Sequence, residues 1–254
     1  MKIIVIGGRG LTGRRVVRTL QAQGHCVASA SRSSGVDVLT GRGLATRLRG
    51  ADVVVDASNS PSFEGQAAFD FFRTAGVHLL AAERQAGVQH HVALSVVGTG
   101  RLPDSPYLRG KALQERMIED SGIPFTIVHA TQFFEFLLDI VDSAIEGQVV
   151  RLAPAWIEPV ASEDVAALVS RVALQPPLHG VVEIAGPERV RLSELVRRFV
   201  LDMEAPFDVR SDATAPYFGA VLDPCVLLPR QDAVRGRLGF EAWLEQSAYA
   251  RADW

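Results

Sequence analysis

The sequence predicts an α/β fold, a doubly wound parallel sheet with a smaller C-terminal substrate region packed on it. Three observations carry that prediction. Apolar runs of four to six residues alternate with helix-periodic segments, a glycine-rich turn joins the first run to the first helix, and the pattern changes after about residue 145.

The runs at 2–6, 26–30, 53–57, 92–96 and 126–129 have the continuous apolar character of strands covered on both faces. Between them, 11–23, 65–86 and 108–121 place apolar residues at helical spacing, and such repetition implies right-handed crossovers. Gly24, Gly87 and Ser121-Gly122-Ile123-Pro124 break the chain at the expected points. Farther on, Glu146-Gly147 reads as a helix end, followed by short strands at 149–152 and 157–160. A helix over 162–174 is predicted with Ser162 as its cap and Glu163 and Asp164 in its first turn. A strand at 181–185 and a helix at 192–203 follow, and the chain from Ala205 onward is richer in proline and aromatics. The division is a core over 1–150 and a C-terminal region over 151–254, in one globular unit.

The balance of 48% hydrophobic and 22% charged residues is that of a soluble globular protein. A net charge of −3 gives no reason to expect nucleic acid or an anionic membrane as partner. Cys26 and Cys225 have no metal or redox spacing; Cys26 lies in an apolar run and reads as a core residue, consistent with a reducing compartment. The chain enters a strand at once, and no apolar stretch reaches the ~20 residues of a membrane span. The expectation is a cytoplasmic monomer or homodimer acting on a small molecule.

Gly7-Gly8-Arg9-Gly10-Leu11-Thr12-Gly13 follows the first strand and opens the first helix. Gly7 permits the tight turn, Gly10 lets backbone approach a diphosphate, and Gly13 allows helix and strand to pack closely. The helix start, at Leu11 and Thr12, offers amide N–H groups to the anion. This is the setting of a Rossmann-type dinucleotide site. At the end of the second strand the chain reads Ala28-Ser29-Ala30-Ser31-Arg32-Ser33, without the acid that would bond a ribose 2′-hydroxyl. Arg32, with Ser31 and with Arg9 from the glycine turn, suits a 2′-phosphate, so NADP(H) is expected over NAD(H). Asp37, where a short third strand should end, and Ser58 and Asn59 after the next strand are either cofactor contacts or turn residues.

Tyr107 and Lys111 lie four apart, on one helical face, where an ammonium could lower a phenol's pKa and hold a ribose. Lys111 is one of only two lysines, the other being Lys2. His90-His91 cannot chelate one ion from adjacent strand positions, so no metal site is expected, and the pair should pack at a strand start.

With the glycine turn, Asn59, Leu79-Leu80-Ala81-Ala82, the 86–95 segment, Tyr107–Lys111 with Gln114-Glu115, 121–128, Thr131-Gln132-Phe133 and Ile184-Ala185-Gly186-Pro187, the chain resembles the short-chain dehydrogenase/reductase superfamily in its atypical, NmrA-like branch. The resemblance spans roughly 1–200 and implies Tyr107 as general acid/base, Lys111 as its tuner and Ser95 as the substrate-orienting serine. Departures are Val96 beside Ser95, where a serine pair is usual, and His129, where relatives often have arginine. The branch implies an NADPH-dependent reductase of a small apolar carbonyl or quinone; it also includes non-catalytic NADP(H) sensors. Gln132 and Phe133 could form one wall of the substrate site and Trp156, Tyr217 and Phe218 the other, with Phe136 read as core.

Overall fold

A computed structural model describes residues 1–62 and 65–247. The first half alternates β1 (Lys2–Ile6), α1 (Leu11–Ala22), β2 (Cys26–Ala30), α2 (Leu44–Leu48), β3 (Val53–Asp56), α3 (Gly65–Ala86), β4 (His90–Val96), α4 (Pro106–Glu119) and β5 (Phe125–Ala130). The second half contains α5 (Leu137–Ala144), β6 (Ile145–Glu146), β7 (Val149–Leu152), β8 (Trp156–Ile157), α6 (Ser162–Ala173), β9 (Gly180–Ala185), β10 (Val190–Arg191), α7 (Leu192–Asp202), β11 (Asp208–Ser211), β12 (Val234–Arg235) and α8 (Phe240–Gln246).

Seven parallel strands form the main sheet in the order β12-β9-β5-β4-β3-β1-β2. The order reverses at β1, which has β2 on one side and β3 on the other, so a crevice opens beyond the carboxyl ends of these strands. Register brings those ends level: Ile6 pairs with both Ala30 and Asp56, and Ala130 pairs with Val96 and Ile184. One face of the sheet packs on α1 and α6 around Val5, Val55, Val92 and Val169. The other packs on α2, α3 and α4 around Ile4, Leu79, Ile118 and Ile127. A third core, around Phe134, Ile140, Phe199 and Trp243, holds the C-terminal region, with a three-stranded sheet β11-β7-β6 and the pair β10-β8.

Several sequence expectations change. The main sheet takes its last two strands, β9 and β12, from beyond residue 150, so the texture change near 145 is no boundary of the sheet. No third short strand ends at Asp37; its carboxylate accepts from Leu39 N at 2.9 Å and its own N–H donates to Arg42 O, which folds 37–42 into a turn. Cys26 is exposed, because β2 is the edge strand and one flank of it faces solvent. Glu146-Gly147 does not end a helix: α5 stops at Ala144, and Gly147, at φ 65°, turns a hairpin that pairs Glu146 with Val149. Ala161, not Ser162, caps α6; Ser162 is its first residue and donates through backbone and hydroxyl to Glu135. Among the described residues no helix is long and apolar enough to cross a membrane.

Candidate functional site

The glycine turn sits at the switch point. Gly7 adopts φ 70°, and a Cβ there would lie 2.6 Å from Ala57 O, so only glycine fits. A Cβ on Gly13 would lie 2.3 Å from Gly7 O, which is how α1 comes to press directly against the turn. Gly10 is the N-cap of α1; no side chain caps this helix and no acid occupies its first turn. The positive end of the helix therefore has no internal anion and opens, at Gly10, Leu11 and Thr12, into a cleft of about 500 Å³.

One wall of that cleft continues along the end of β2. Ser31 and Arg32 line it, Ser31 Oγ lies 3.0 Å from Ser33 Oγ, and Arg9 donates to Ser33 at 2.8 Å. Arg9 thus reaches the β2 end, while the exposed Arg32 side chain makes no hydrogen bond or ion pair among the described residues. Asp37, Ser58 and Asn59 also line the cleft. The donor set fits a dinucleotide: an uncapped helix start for the diphosphate and a basic, hydroxyl-rich strand end for the ribose.

Beyond β3 and β4 the cleft reaches Tyr107 and Lys111, on the first turns of α4. Ser105 caps this helix, accepting from Leu108 N, and Pro106 occupies its first position. Tyr107 donates to Asn59 Oδ1 at 3.1 Å, and its ring meets Phe72 edge-on. Burial, with Tyr217 adding to it, pushes the Tyr107 phenol above its ordinary range. The Lys111 ammonium donates to Leu94 O at 2.7 Å and to Gln114 Oε1, and lies over the Phe72 ring. Burial pulls Lys111 down to about 8, against the opposing charges of Asp56 and Glu115. The pair shares a helical face as the spacing predicts, but the lowering of the phenol expected from the ammonium is absent: burial dominates.

Two hydrogen-bond networks behind the cleft escaped the sequence reading. In the first, buried Asp56 accepts from Ser58 Oγ at 2.6 Å and from Gln114 Nε2 at 2.8 Å, and Gln114 in turn receives Lys111. In the second, Glu115 accepts from Ser95 Oγ and lies 3.0 Å from His129 Nε2. Ser95 lines the cleft with its hydroxyl proton already committed to a carboxylate. The usable signals were a carboxylate closing an apolar strand, and Gln114 and Glu115 one turn beyond Lys111.

Gln132, Phe133, Tyr217 and Phe218 line the far end together, and so does Phe136, read from sequence as core. Phe136 stacks on Phe133, with centroids 5.4 Å apart and planes 9° apart. Trp156 lies elsewhere, under the guanidinium groups of Arg189 and Arg191. His90 and His91 are buried at the start of β4, as expected; His91 Nδ1 meets Glu83 at 2.9 Å and His90 meets Thr126. No group of metal-ligating side chains occurs among the described residues.

Fold and cleft define a protein that binds a pyridine dinucleotide across the switch point of a Rossmann sheet. The chain belongs to the NAD(P)H-binding family, whose profile matches residues 7–176, and its relatives lie in the atypical, NmrA-like part of the short-chain dehydrogenase/reductase superfamily. It is 30% identical over 209 residues to a (4-alkanoyl-5-oxo-2,5-dihydrofuran-3-yl)methyl phosphate reductase of Streptomyces griseus, covering 76% of this chain and 70% of that one. It spans about half the length of other curated relatives it matches, among them the photosystem II assembly factor Ycf39 of Synechocystis, 24% identical over 152 residues that make up 54% of this chain and 47% of the factor. A short-chain dehydrogenase/reductase superfamily protein of Agrobacterium tumefaciens, solved with NAD, superposes with a TM-score of 0.74 at 17% identity, over 99% of this chain and 97% of that one. An NADPH-dependent quinone oxidoreductase of Escherichia coli gives 0.58 at 20% identity, over 84% and 78%. At these identities the two structures speak to the fold alone.

Proposed function

We propose that the protein is an NADPH-dependent reductase of a small apolar carbonyl or quinone. The observation that carries this reading is the continuity of the cleft. Its lining runs unbroken from Gly10 at the helix start, past Tyr107 and Lys111, to the aromatic end at Phe133 and Tyr217. A dinucleotide held by its diphosphate at Gly10 would find Tyr107 and Lys111 farther along the same cleft.

Bound there, the reduced nicotinamide supplies a hydride. Gly10, Leu11 and Thr12 would hold the diphosphate, and Arg32, Arg9 and Ser31 the 2′-phosphate that favours NADP(H) over NAD(H). Lys111 would face the nicotinamide ribose, with Ser58, Asn59 and Asp37 along the same wall. Tyr107 would hold its phenolic proton at the carbonyl oxygen and give it up there as the carbonyl is reduced. Because burial raises the phenol pKa, Tyr107 stays protonated at neutral pH and acts as an acid rather than as a tyrosinate base. Ser95, its proton held by Glu115, is not available to donate to the substrate carbonyl, which leaves that hydrogen bond to Tyr107.

The test is NADPH oxidation with a panel of quinones and aromatic ketones. Tyr107→Phe should lower kcat by about 100-fold or more, the usual scale of general-acid catalysis, with NADPH affinity nearly unchanged. Arg32→Ala should weaken NADPH by roughly 10- to 100-fold, a charge-assisted contact's worth, and leave NADH unaffected. Unchanged preference after Arg32→Ala would refute the cofactor assignment. A second reading, an NADP(H)-binding sensor without redox chemistry, draws on Val96 beside Ser95 and on the commitment of the Ser95 hydroxyl to Glu115. Tight NADPH binding without turnover across the panel would favour it.

A further inference from the structure

The substrate half of the cleft contains a buried polar group that the protein itself leaves largely unsatisfied. Gln132, the second residue after β5, is buried, and its backbone is fixed by Val160 N donating to its carbonyl at 2.8 Å. Its side-chain amide lines the cleft beside the Tyr217 phenol, which it approaches without a hydrogen bond of normal length, and neither Oε1 nor Nε2 has any other partner among the described residues. A buried carboxamide met only loosely by one hydroxyl keeps donor and acceptor capacity to spare, and a native chain retains such a group where another molecule completes it. The same end of the cleft is lined by flat apolar surfaces: the stacked Phe133 and Phe136 rings, and Tyr217 with Phe218 edge-on to it. The charged side chain lining this end is Asp139, exposed in the first turn of α5 with Asp142 one turn farther along.

We propose that the substrate is an uncharged, planar ring compound whose ring carbonyl accepts a hydrogen bond from Gln132 Nε2, and that Gln132 with Asp139 sets this specificity against anionic analogues. The inference rests on the reductase reading of the same cleft and narrows it. A flat ring fills the slot between the aromatic side chains, where it gains dispersion and loses water. Gln132 then orients the carbonyl while adding no charge. A phosphate, sulfonate or carboxylate on the ring would enter past the Asp139 carboxylate and lose its hydration without a cation to replace it. That sets the site apart from a phosphate ester such as the one named for the Streptomyces relative.

The test is a binding measurement on protein saturated with NADP+, in which hydride transfer cannot occur. Menadione and a naphthoquinone sulfonate are titrated by calorimetry, and turnover of menadione with NADPH is measured separately. Menadione should bind at least about tenfold tighter than the sulfonate. Gln132→Leu should weaken menadione by about tenfold, the scale of one lost hydrogen bond to a buried group, without changing NADP+ affinity. Asp139→Asn should narrow the preference. Equal binding of the two quinones, binding of neither, or menadione affinity unaltered by Gln132→Leu would overturn the inference. Preference without turnover upholds the inference and removes the reductase reading. Turnover without preference does the reverse.

Discussion

Replacing Gly13 with alanine tests how the glycine turn is built. Inside a helix this change normally stabilises by up to about 1 kcal/mol. Here the added Cβ would lie 2.3 Å from Gly7 O, 2.8 Å from Gly8 Cα and 2.9 Å from Gly7 C. All three are backbone atoms, and Gly7 cannot retreat because it is itself wedged against Ala57. Helix and turn must separate, at an overpacking cost of about 1–3 kcal/mol beyond the propensity gain. For a chain of this size that lowers Tm by roughly 2–12 °C. Gly76→Ala in α3 is the control, since its Cβ meets only the flexible tip of Met117 at 3.0 Å, and it should be neutral or slightly stabilising. Thermal scans of both variants without cofactor, followed by NADPH titration, make the comparison. A Gly13→Ala protein as stable as the Gly76→Ala protein, with full NADPH affinity, would refute the close-packing argument.

Other outcomes follow from the buried charges. Lys111 sits at about 8 in the folded chain against an ordinary 10.5, so between those values the unfolded chain holds a proton that the folded chain does not. Its contribution to stability therefore rises as pH climbs from about 8 toward 10.5, until the raised Tyr107 and Tyr217 begin to act in the opposite sense above about 10. Tm of the cofactor-free protein near pH 7.5 and 9.5 should show this rise in the wild type and not in Lys111→Met. In the core, burial raises the Glu83 carboxyl, while for His91 burial opposes the charge but is outweighed by the charge and hydrogen bond of Glu83 together with Asp56, so that it too is raised. His91→Leu leaves Glu83 alone and should cost about 3–5 kcal/mol, whereas Glu83→Leu with His91→Leu should recover most of that; denaturant unfolding reads both.

Much of the fold was legible because its signals are local. The strands β1 to β5 are short apolar runs, and the glycine turn needs only its own backbone to define it. What the sequence left hidden depends on partners far along the chain. Cys26 lies in a strand-like apolar run, but only the sheet order reveals that β2 is an edge. Asp56 meets Gln114 across 58 positions, and Glu115 gathers Ser95 and His129 from two different strands. Tyr107 and Lys111 were recognisable by spacing, yet their ionisation was not, since the burial that governs both comes from the C-terminal region and from Phe72. Phe136 packs against the core as its setting in the sequence suggests, and it also stacks on Phe133 and lines the cleft, which the sequence does not reveal.

The most direct measurement is a calorimetric NADPH titration of Gly10→Asp beside the wild type. Gly10 has φ −71° and ψ 179°, a conformation open to any residue, and a Cβ there meets nothing nearer than Gly7 O at 3.2 Å. An aspartate at this position would cap α1 and occupy its positive end with the protein's own carboxylate, a gain over glycine of roughly a few tenths of a kcal/mol. The tight contact with Gly7 O offsets that gain, so the account predicts a variant close to the wild type in thermal stability that no longer binds NADPH. A stable Gly10→Asp protein that still takes up NADPH with wild-type affinity would contradict it.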